Sequence, residues 1–138
     1  FPAYLPVRSN AVLAARYFTH LSARGRRIVL DPLGLVGGGW STDLGNVSVR
    51  RPSIHPTVSI SPKPIVMHTA PFGRQSISPL GDAAVIDSAF GLAATMADYL
   101  ADPALREAVE RDFAAAGGRV DVERLLAAPT GNPGKDGA

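Results

Sequence analysis

Three histidines are the side chains in this sequence best suited to metal binding or proton transfer. They are His20, His55 and His68, and imidazole is a common metal ligand and a general base near neutral pH. His68 follows a short apolar stretch and precedes the loop HTAPFG, which predicts a position at the end of a strand, where sites in α/β proteins form. A catalytic zinc site needs three protein ligands. The chain contains no HExxH, no histidine pair at helical spacing and no His-x-Asp, so it does not build a complete site.

The other two histidines have structural explanations. His20 lies on the polar side of the first predicted helix, where a surface position is expected. His55 lies between Ile54 and Pro56 at the entry to a predicted strand. There, an imidazole that is hydrogen-bonded to the backbone explains the residue as well as a metal ligand does.

A glycine-rich stretch at residues 34–48, GLVGGGWSTDLGNVS, is the second candidate for function. Its three consecutive glycines let the backbone approach a ligand or another chain closely. Asp43 within it is a possible carboxylate ligand, and the alternative is an Asx or N-cap hydrogen bond that organises the loop. We interpret the stretch as a functional loop.

The bulk composition restricts the class of protein. The chain has 138 residues, 46% of them hydrophobic and 19% charged, as expected for one globular domain. Its arginines are scattered, which argues against nucleic-acid binding. The absence of cysteine excludes disulfides and thiolate metal sites. No apolar run reaches the ~20 residues of a membrane helix, and no signal peptide is visible, so we expect a cytoplasmic protein without a membrane partner.

Hydrophobic spacing and turn residues predict alternating helices and short strands. Asn10 is a suitable N-cap for a helix that ends at Gly25. Two strands are predicted after it, at RRIVL and TVSIS. A helix is predicted after Gly81, and its apolar face carries Val85, Ala89, Leu92, Met96 and Tyr99. The next predicted helix has Asp102 as N-cap and Pro103 at its first position and ends at Gly117-Gly118, and a short helix follows from Asp121. This order predicts a layered α/β domain whose strands need partners from elsewhere.

Three motifs in order, GGGWSTDLGNVS, PSIHPTVSI and HTAPF, resemble the dinuclear-zinc amidohydrolases and metallopeptidases related to aminoacylase, carboxypeptidase G and aminobenzoyl-glutamate hydrolase. The most similar branch is that of the β-alanyl-lysine-type dipeptidases. The resemblance implies the C-terminal segment of a three-layer αβα zinc-hydrolase catalytic domain, with a few strands and three to four helices. It assigns residues 1–128 to this segment, and residues 129–138 are expected to form a disordered tail.

The resemblance also implies a site. His68 would be a metal ligand, and the loop with Gly37, Gly38, Gly39 and Ser41 would bind the substrate carboxylate or carbonyl through backbone amides. Trp40, which separates the glycines from Ser41, departs from the family pattern and leaves the register of these amides open. No catalytic residue is assigned to this chain, because the family's other ligands for two zinc ions and its glutamate base belong to an N-terminal half. The implied reaction is metal-assisted amide hydrolysis.

Two functions therefore compete. The chain is either part of a hydrolase that cleaves a dipeptide or an N-acyl amino acid and is inactive without the missing N-terminal half, or a non-catalytic binding or assembly module derived from that family. The resemblance also predicts a homo-oligomer, although the family's dimerisation lid is not in this chain. A nucleic-acid-binding protein, the third interpretation, rests on arginine content alone.

Overall fold

Six helices form the part of the chain that the computed structural model describes, residues 4–29 and 42–127, and 60% of these residues are helical. The helices are α1 (Ala11–Ala23), α2 (Leu44–Ser48), α3 (Ala70–Ser76), α4 (Pro79–Ala101), α5 (Pro103–Ala115) and α6 (Val122–Ala127). The 23-residue α4 is the longest, and α1, α3 and α5 all pack against it.

The predicted α/β class is wrong, because residues 4–29 and 42–127 contain no strand. The three-layer αβα domain with three to four helices is therefore not what these residues form. The segments 26–29 and 57–60 have no regular secondary structure, and Val58 and Ile60 are half-buried while Thr57 and Ser59 are exposed. The predicted alternation is present, but a strand also requires a hydrogen-bonded neighbour. Neither segment finds one among the described residues.

The core lies where α1 meets α4 and α5. Asn10 caps α1, since its side chain accepts a hydrogen bond from Leu13 N at 3.0 Å, and its amide also donates to Val109 O at 2.9 Å. The predicted helix and its cap are thus confirmed. The buried hydrophobic residues are Tyr17, Leu21, Val49, Ala84, Leu105, Val109 and Val122.

The junction between α4 and α5 follows the predicted capping signal. Asp102 ends α4, and its carboxylate accepts hydrogen bonds from Ala104 N at 2.9 Å and Leu105 N at 3.3 Å. Pro103 occupies the first position of α5, where its missing N–H costs nothing. Gly117 and Gly118, with φ of 104° and 60°, follow the end of α5 as predicted.

The orientation of α4 differs from the sequence-based expectation. The predicted helical face points mostly away from the core: Val85 is 68% exposed, Leu92 49% and Met96 58%. The side that packs against the rest of the chain carries the buried residues Gly81, Ala84, Asp87, Gly91 and Thr95. Small residues permit close helix packing, and they give a weaker hydrophobic signal than the large residues opposite.

Candidate functional site

His68 has an unusual backbone conformation. Its φ of 61° is the only positive value at a non-glycine among the described residues, and its side chain is exposed. Left-handed conformations at non-glycine residues are uncommon, and such outliers often occur at functional sites. The conformation distinguishes this residue from the rest of the described backbone.

His68 immediately precedes the N-cap of α3 and does not follow a strand, contrary to the prediction. Thr69 is the N-cap of α3: its hydroxyl accepts from Phe72 N at 3.4 Å and donates to Val66 O at 2.7 Å. The predicted HTAPFG loop is therefore largely the first turn of a helix. Thr69 holds the turn that contains His68.

Within residues 4–29 and 42–127, no group of three or more His, Asp or Glu side chains could hold a metal ion. The candidate ligands in that part, His55, His68 and Asp43, do not form such a group, whereas a catalytic zinc site takes three protein ligands. The described residues therefore do not fit a complete zinc site. Zinc binding at His68 would require ligands from outside residues 4–29 and 42–127.

The predicted substrate-binding loop lies mostly outside the described residues, and this includes Gly37, Gly38, Gly39 and Ser41. Their convergence with His68 stays a prediction. Asp43, which is described, is exposed at the N-cap of α2 and makes no side-chain capping hydrogen bond.

The second half of the same motif anchors the entry segment of the chain. Asn46 Oδ1 accepts a hydrogen bond from Leu5 N at 2.9 Å, and Ser48 Oγ accepts one from Arg8 N at 2.9 Å. A Cβ at Gly45 would lie 2.6 Å from the carbonyl carbon of Leu5, so only glycine fits there. The sequence of this motif predicted a functional loop, and its anchoring of the entry segment was not predicted.

The other two histidines, His20 and His55, lie in different surroundings. His20 is half-buried, with Nε2 2.8 Å from Asp98 Oδ2 and its ring edge-on to Phe90. It is thus a hydrogen-bond partner that links α1 to α4, and not a simple surface residue. His55 is exposed and lines a groove of about 660 Å³ between α1 and residues 54–65.

A second charged cluster joins the same helices. Asp87, buried on α4, accepts hydrogen bonds from Arg24 Nε and, at 2.7 Å, from Arg26 Nε. These two hydrogen bonds hold the pKa of the Asp87 carboxyl below its ordinary value. The cluster leaves no local sequence signal, because Arg24 and Arg26 are 63 and 61 residues from Asp87.

The chain is similar to a dipeptidase. The Xaa-Arg dipeptidase of Mus musculus is 31% identical to it over 123 residues, which are 89% of this chain and 28% of that relative. The chain therefore spans less than a third of the length of the curated relative it matches. No protein-family profile and no solved structure matches the chain.

Proposed function

We propose that this chain is the C-terminal part of a zinc-dependent amidohydrolase that cleaves the amide bond of a dipeptide or an N-acyl amino acid. In this proposal it is inactive without the N-terminal half of the enzyme. The observation that carries the proposal is the extent of similarity to the dipeptidase, which covers 89% of this chain but only 28% of the relative.

The proposed contribution of this chain to the site is limited to two groups. His68 supplies one imidazole to a zinc ion, and its exposure and left-handed backbone support that role. The amides of Gly37, Gly38 and Gly39, with Ser41, bind the substrate's anionic group, since consecutive backbone N–H groups favour anions. The remaining zinc ligands and the general base come from the other polypeptide.

The proposed dependence on a second polypeptide is supported by the chemistry of zinc binding. Zinc affinity rests on several preorganised ligands, and residues 4–29 and 42–127 hold no cluster of them. When the other ligands are supplied, bound zinc polarises the scissile carbonyl and activates water. The cytoplasmic location and the homo-oligomeric state predicted from the sequence stay predictions.

Reconstitution tests the proposal. The chain is mixed with mouse Xaa-Arg dipeptidase from which the matched 123 residues have been removed, and hydrolysis of a dipeptide with C-terminal arginine and of an N-acetylated amino acid is followed with zinc present. We expect hydrolysis only in the mixture, and its loss on chelation of zinc. His68→Ala in the mixture is expected to lower the rate by about 100-fold or more.

His55→Ala is the matched control, because His55 is also an exposed histidine and has no role in the proposed site. It is expected to retain the rate of the wild-type mixture. An inactive wild-type mixture, or an active mixture that tolerates His68→Ala, would contradict the proposal and favour a non-catalytic binding or assembly module.

A further inference from the structure

The groove between α1 and residues 54–65 has the size and the lining of a small-molecule site. Its volume of about 660 Å³ lies within the range of about 300–1,000 Å³ that is usual for ligand pockets. The lining is mainly hydrophobic, and its apolar side chains are half-buried, so they present hydrocarbon to the space between the two walls. A ligand in the groove would remove this apolar area from water, which favours binding. The apolar side chains that carry the argument are Phe18, Val58, Ile60, Ile65 and Phe72.

Hydrogen bonds fix the wall of the groove that lies opposite α1. Asn10 N, at the start of α1, donates to Ser53 O at 2.8 Å, and Arg26 Nη1 donates to Ser59 O at 3.1 Å. Arg26 is itself held, because its Nε donates to the buried carboxylate of Asp87 at 2.7 Å. The wall is thus ordered by contacts within the chain, and a ligand does not have to order it on binding.

Two positive charges lie at the edge of the groove without a balancing carboxylate. Arg27 and Lys63 both line the groove and are both exposed. Neither forms a salt bridge with a described residue, and none of the described residues that line the groove is Asp or Glu. In contrast, Arg24 and Arg26, which precede Arg27 in the chain, both pair with Asp87. The groove therefore combines an apolar interior with a positive edge.

We propose that this groove binds a free aliphatic carboxylate, whose hydrocarbon chain lies against the apolar lining and whose carboxylate contacts Arg27 and Lys63. Because both cations are exposed, the bound carboxylate keeps its contact with water and avoids the cost of burying a charge. An aliphatic cation of the same length would meet like charges at the edge. The site is separate from His68 and from the glycine-rich loop, so the inference does not depend on the proposed function.

A nucleic acid fits the groove less well than an aliphatic carboxylate does. Single-stranded nucleic acids bind where a positive groove follows the backbone and aromatic rings are available for base stacking. Here the uncompensated cations that line the groove are two, and the rings of Phe18 and Phe72 are half-buried. The lining between them is aliphatic, which suits a hydrocarbon chain and offers no hydrogen bonds to a base.

The exposed side of α4 is the other apolar surface to which a hydrocarbon chain could adhere. Val85 is 68% exposed there and Leu100 is 67% exposed. However, α4 contains no lysine or arginine, so a carboxylate gains no ion pair on that helix. Preference for an anionic head group therefore distinguishes binding in the groove from adhesion to α4.

The test titrates the full chain, labelled for NMR, with octanoate at concentrations below micelle formation. Octanol, which has the same chain and a neutral head group, and octyltrimethylammonium, which is cationic, are the comparison ligands. We expect octanoate to shift the amide signals of residues 14–18 and 54–65 and to bind about fivefold more tightly than octanol, as one exposed ion pair of favourable geometry provides. The cation is expected to bind most weakly of the three.

The double variant Arg27→Gln, Lys63→Gln removes the positive edge. Its matched control is Arg51→Gln, Arg74→Gln, which removes two exposed arginines that do not line the groove. Circular dichroism and urea unfolding verify that both variants fold as the wild type does. We expect the first variant to bind octanoate about fivefold more weakly and octanol unchanged, and the control to bind both as the wild type does.

Several outcomes overturn the inference. One is the absence of octanoate binding to the wild-type chain, and another is equal affinity for octanoate and octanol. Signal shifts confined to α4 would show adhesion to its exposed apolar side chains and no site in the groove. An equal loss of octanoate affinity in both double variants would show that the net charge of the chain attracts the anion, and that Arg27 and Lys63 have no particular role.

Discussion

Gly91 of α4 lies directly against the ring of Tyr17 of α1. A Cβ at position 91 would lie 2.8 Å from Tyr17 Cε2 and would also collide with the Leu21 side chain. Both Tyr17 and Leu21 are 2% exposed, so neither can move into solvent without opening the core. The close packing of the two helices thus depends on the absence of a side chain at this position.

The first prediction follows from that contact. Gly91→Ala is expected to lower the free energy of unfolding by about 1–2 kcal/mol. Overpacking costs about 1–3 kcal/mol, and a clash with two buried side chains belongs to the upper part of that range, from which the better helix propensity of alanine offsets about 1 kcal/mol. Urea unfolding followed by circular dichroism measures the change. Gly73→Ala in α3 is the control, because no atom lies within 4 Å of its Cβ position, and it is expected to be neutral or stabilising. A Gly91→Ala variant as stable as wild type would show that α1 and α4 pack less closely.

The second prediction concerns the pH dependence given by Asp87. Its pKa is lowered in the folded chain by hydrogen bonds from Arg24 and Arg26, so its contribution to stability is present above the ordinary carboxyl pKa of about 3.9. That contribution is lost as the pH falls through the lowered folded-state pKa. Asp87→Asn is therefore expected to be less stable than wild type at pH 7, and the difference should shrink below about pH 4.

The control for this experiment is Asp82→Asn, which removes an exposed carboxylate from the same helix. It is expected to change stability less at pH 7. Parallel pH profiles for Asp87→Asn and wild type, measured by urea unfolding from pH 2 to pH 7, would argue against the ion-pair cluster as the cause.

Helix ends were predictable from the sequence because their signals are local. Asn10 and Asp102 cap the helices expected of them, and Gly117 ends α5. Each of these residues acts on backbone groups within a few positions, so short sequence windows contain the full cause. The same reasoning could have identified α3, since Thr69 followed by Pro71 is an N-cap with proline in the first turn.

Features that depend on distant contacts were not predictable. The segment TVSIS has the alternation of buried and exposed side chains expected of a strand. A strand also needs a hydrogen-bonded neighbouring strand, and the alternation within one segment does not show whether such a neighbour exists. The spacing of Val85, Leu92 and Met96 predicted a helix correctly and could not say which side would meet α1. Of the predicted site residues, His68 lies among the described residues, with a left-handed backbone in the turn before α3, and its role as a metal ligand stays a prediction.

The third prediction concerns Arg8, which ties the entry segment to the end of α5. Its guanidinium donates to Ala116 O at 2.8 Å, to Val49 O at 3.2 Å and to Gly118 O, and it lies 4.9 Å from the centre of the Phe113 ring. Lysine cannot reproduce this forked set of donors. Arg8→Lys is expected to lower the free energy of unfolding by about 1–3 kcal/mol, because backbone carbonyls lose their partners.

Thermal and urea unfolding measure this effect, and Arg27→Lys is the matched control. Arg27 is exposed, so its replacement is expected to be within about 0.5 kcal/mol of wild type. Equal stability of the two variants would show that the carbonyls around Arg8 find water as readily as they find the guanidinium.

The fourth prediction separates stability from function at His68. Its left-handed backbone costs a non-glycine residue about 1–2 kcal/mol, while glycine adopts it freely at some entropic cost in the unfolded chain. His68→Gly is therefore expected to raise the free energy of unfolding of the isolated chain by about 0.5–1 kcal/mol. Met67→Gly is the control, since the neighbouring residue has no positive φ and should lose stability. A destabilised His68→Gly chain would show that the imidazole stabilises the fold. A stabilised chain that no longer supports hydrolysis in the reconstituted mixture would show that His68 contributes to the reaction and not to stability.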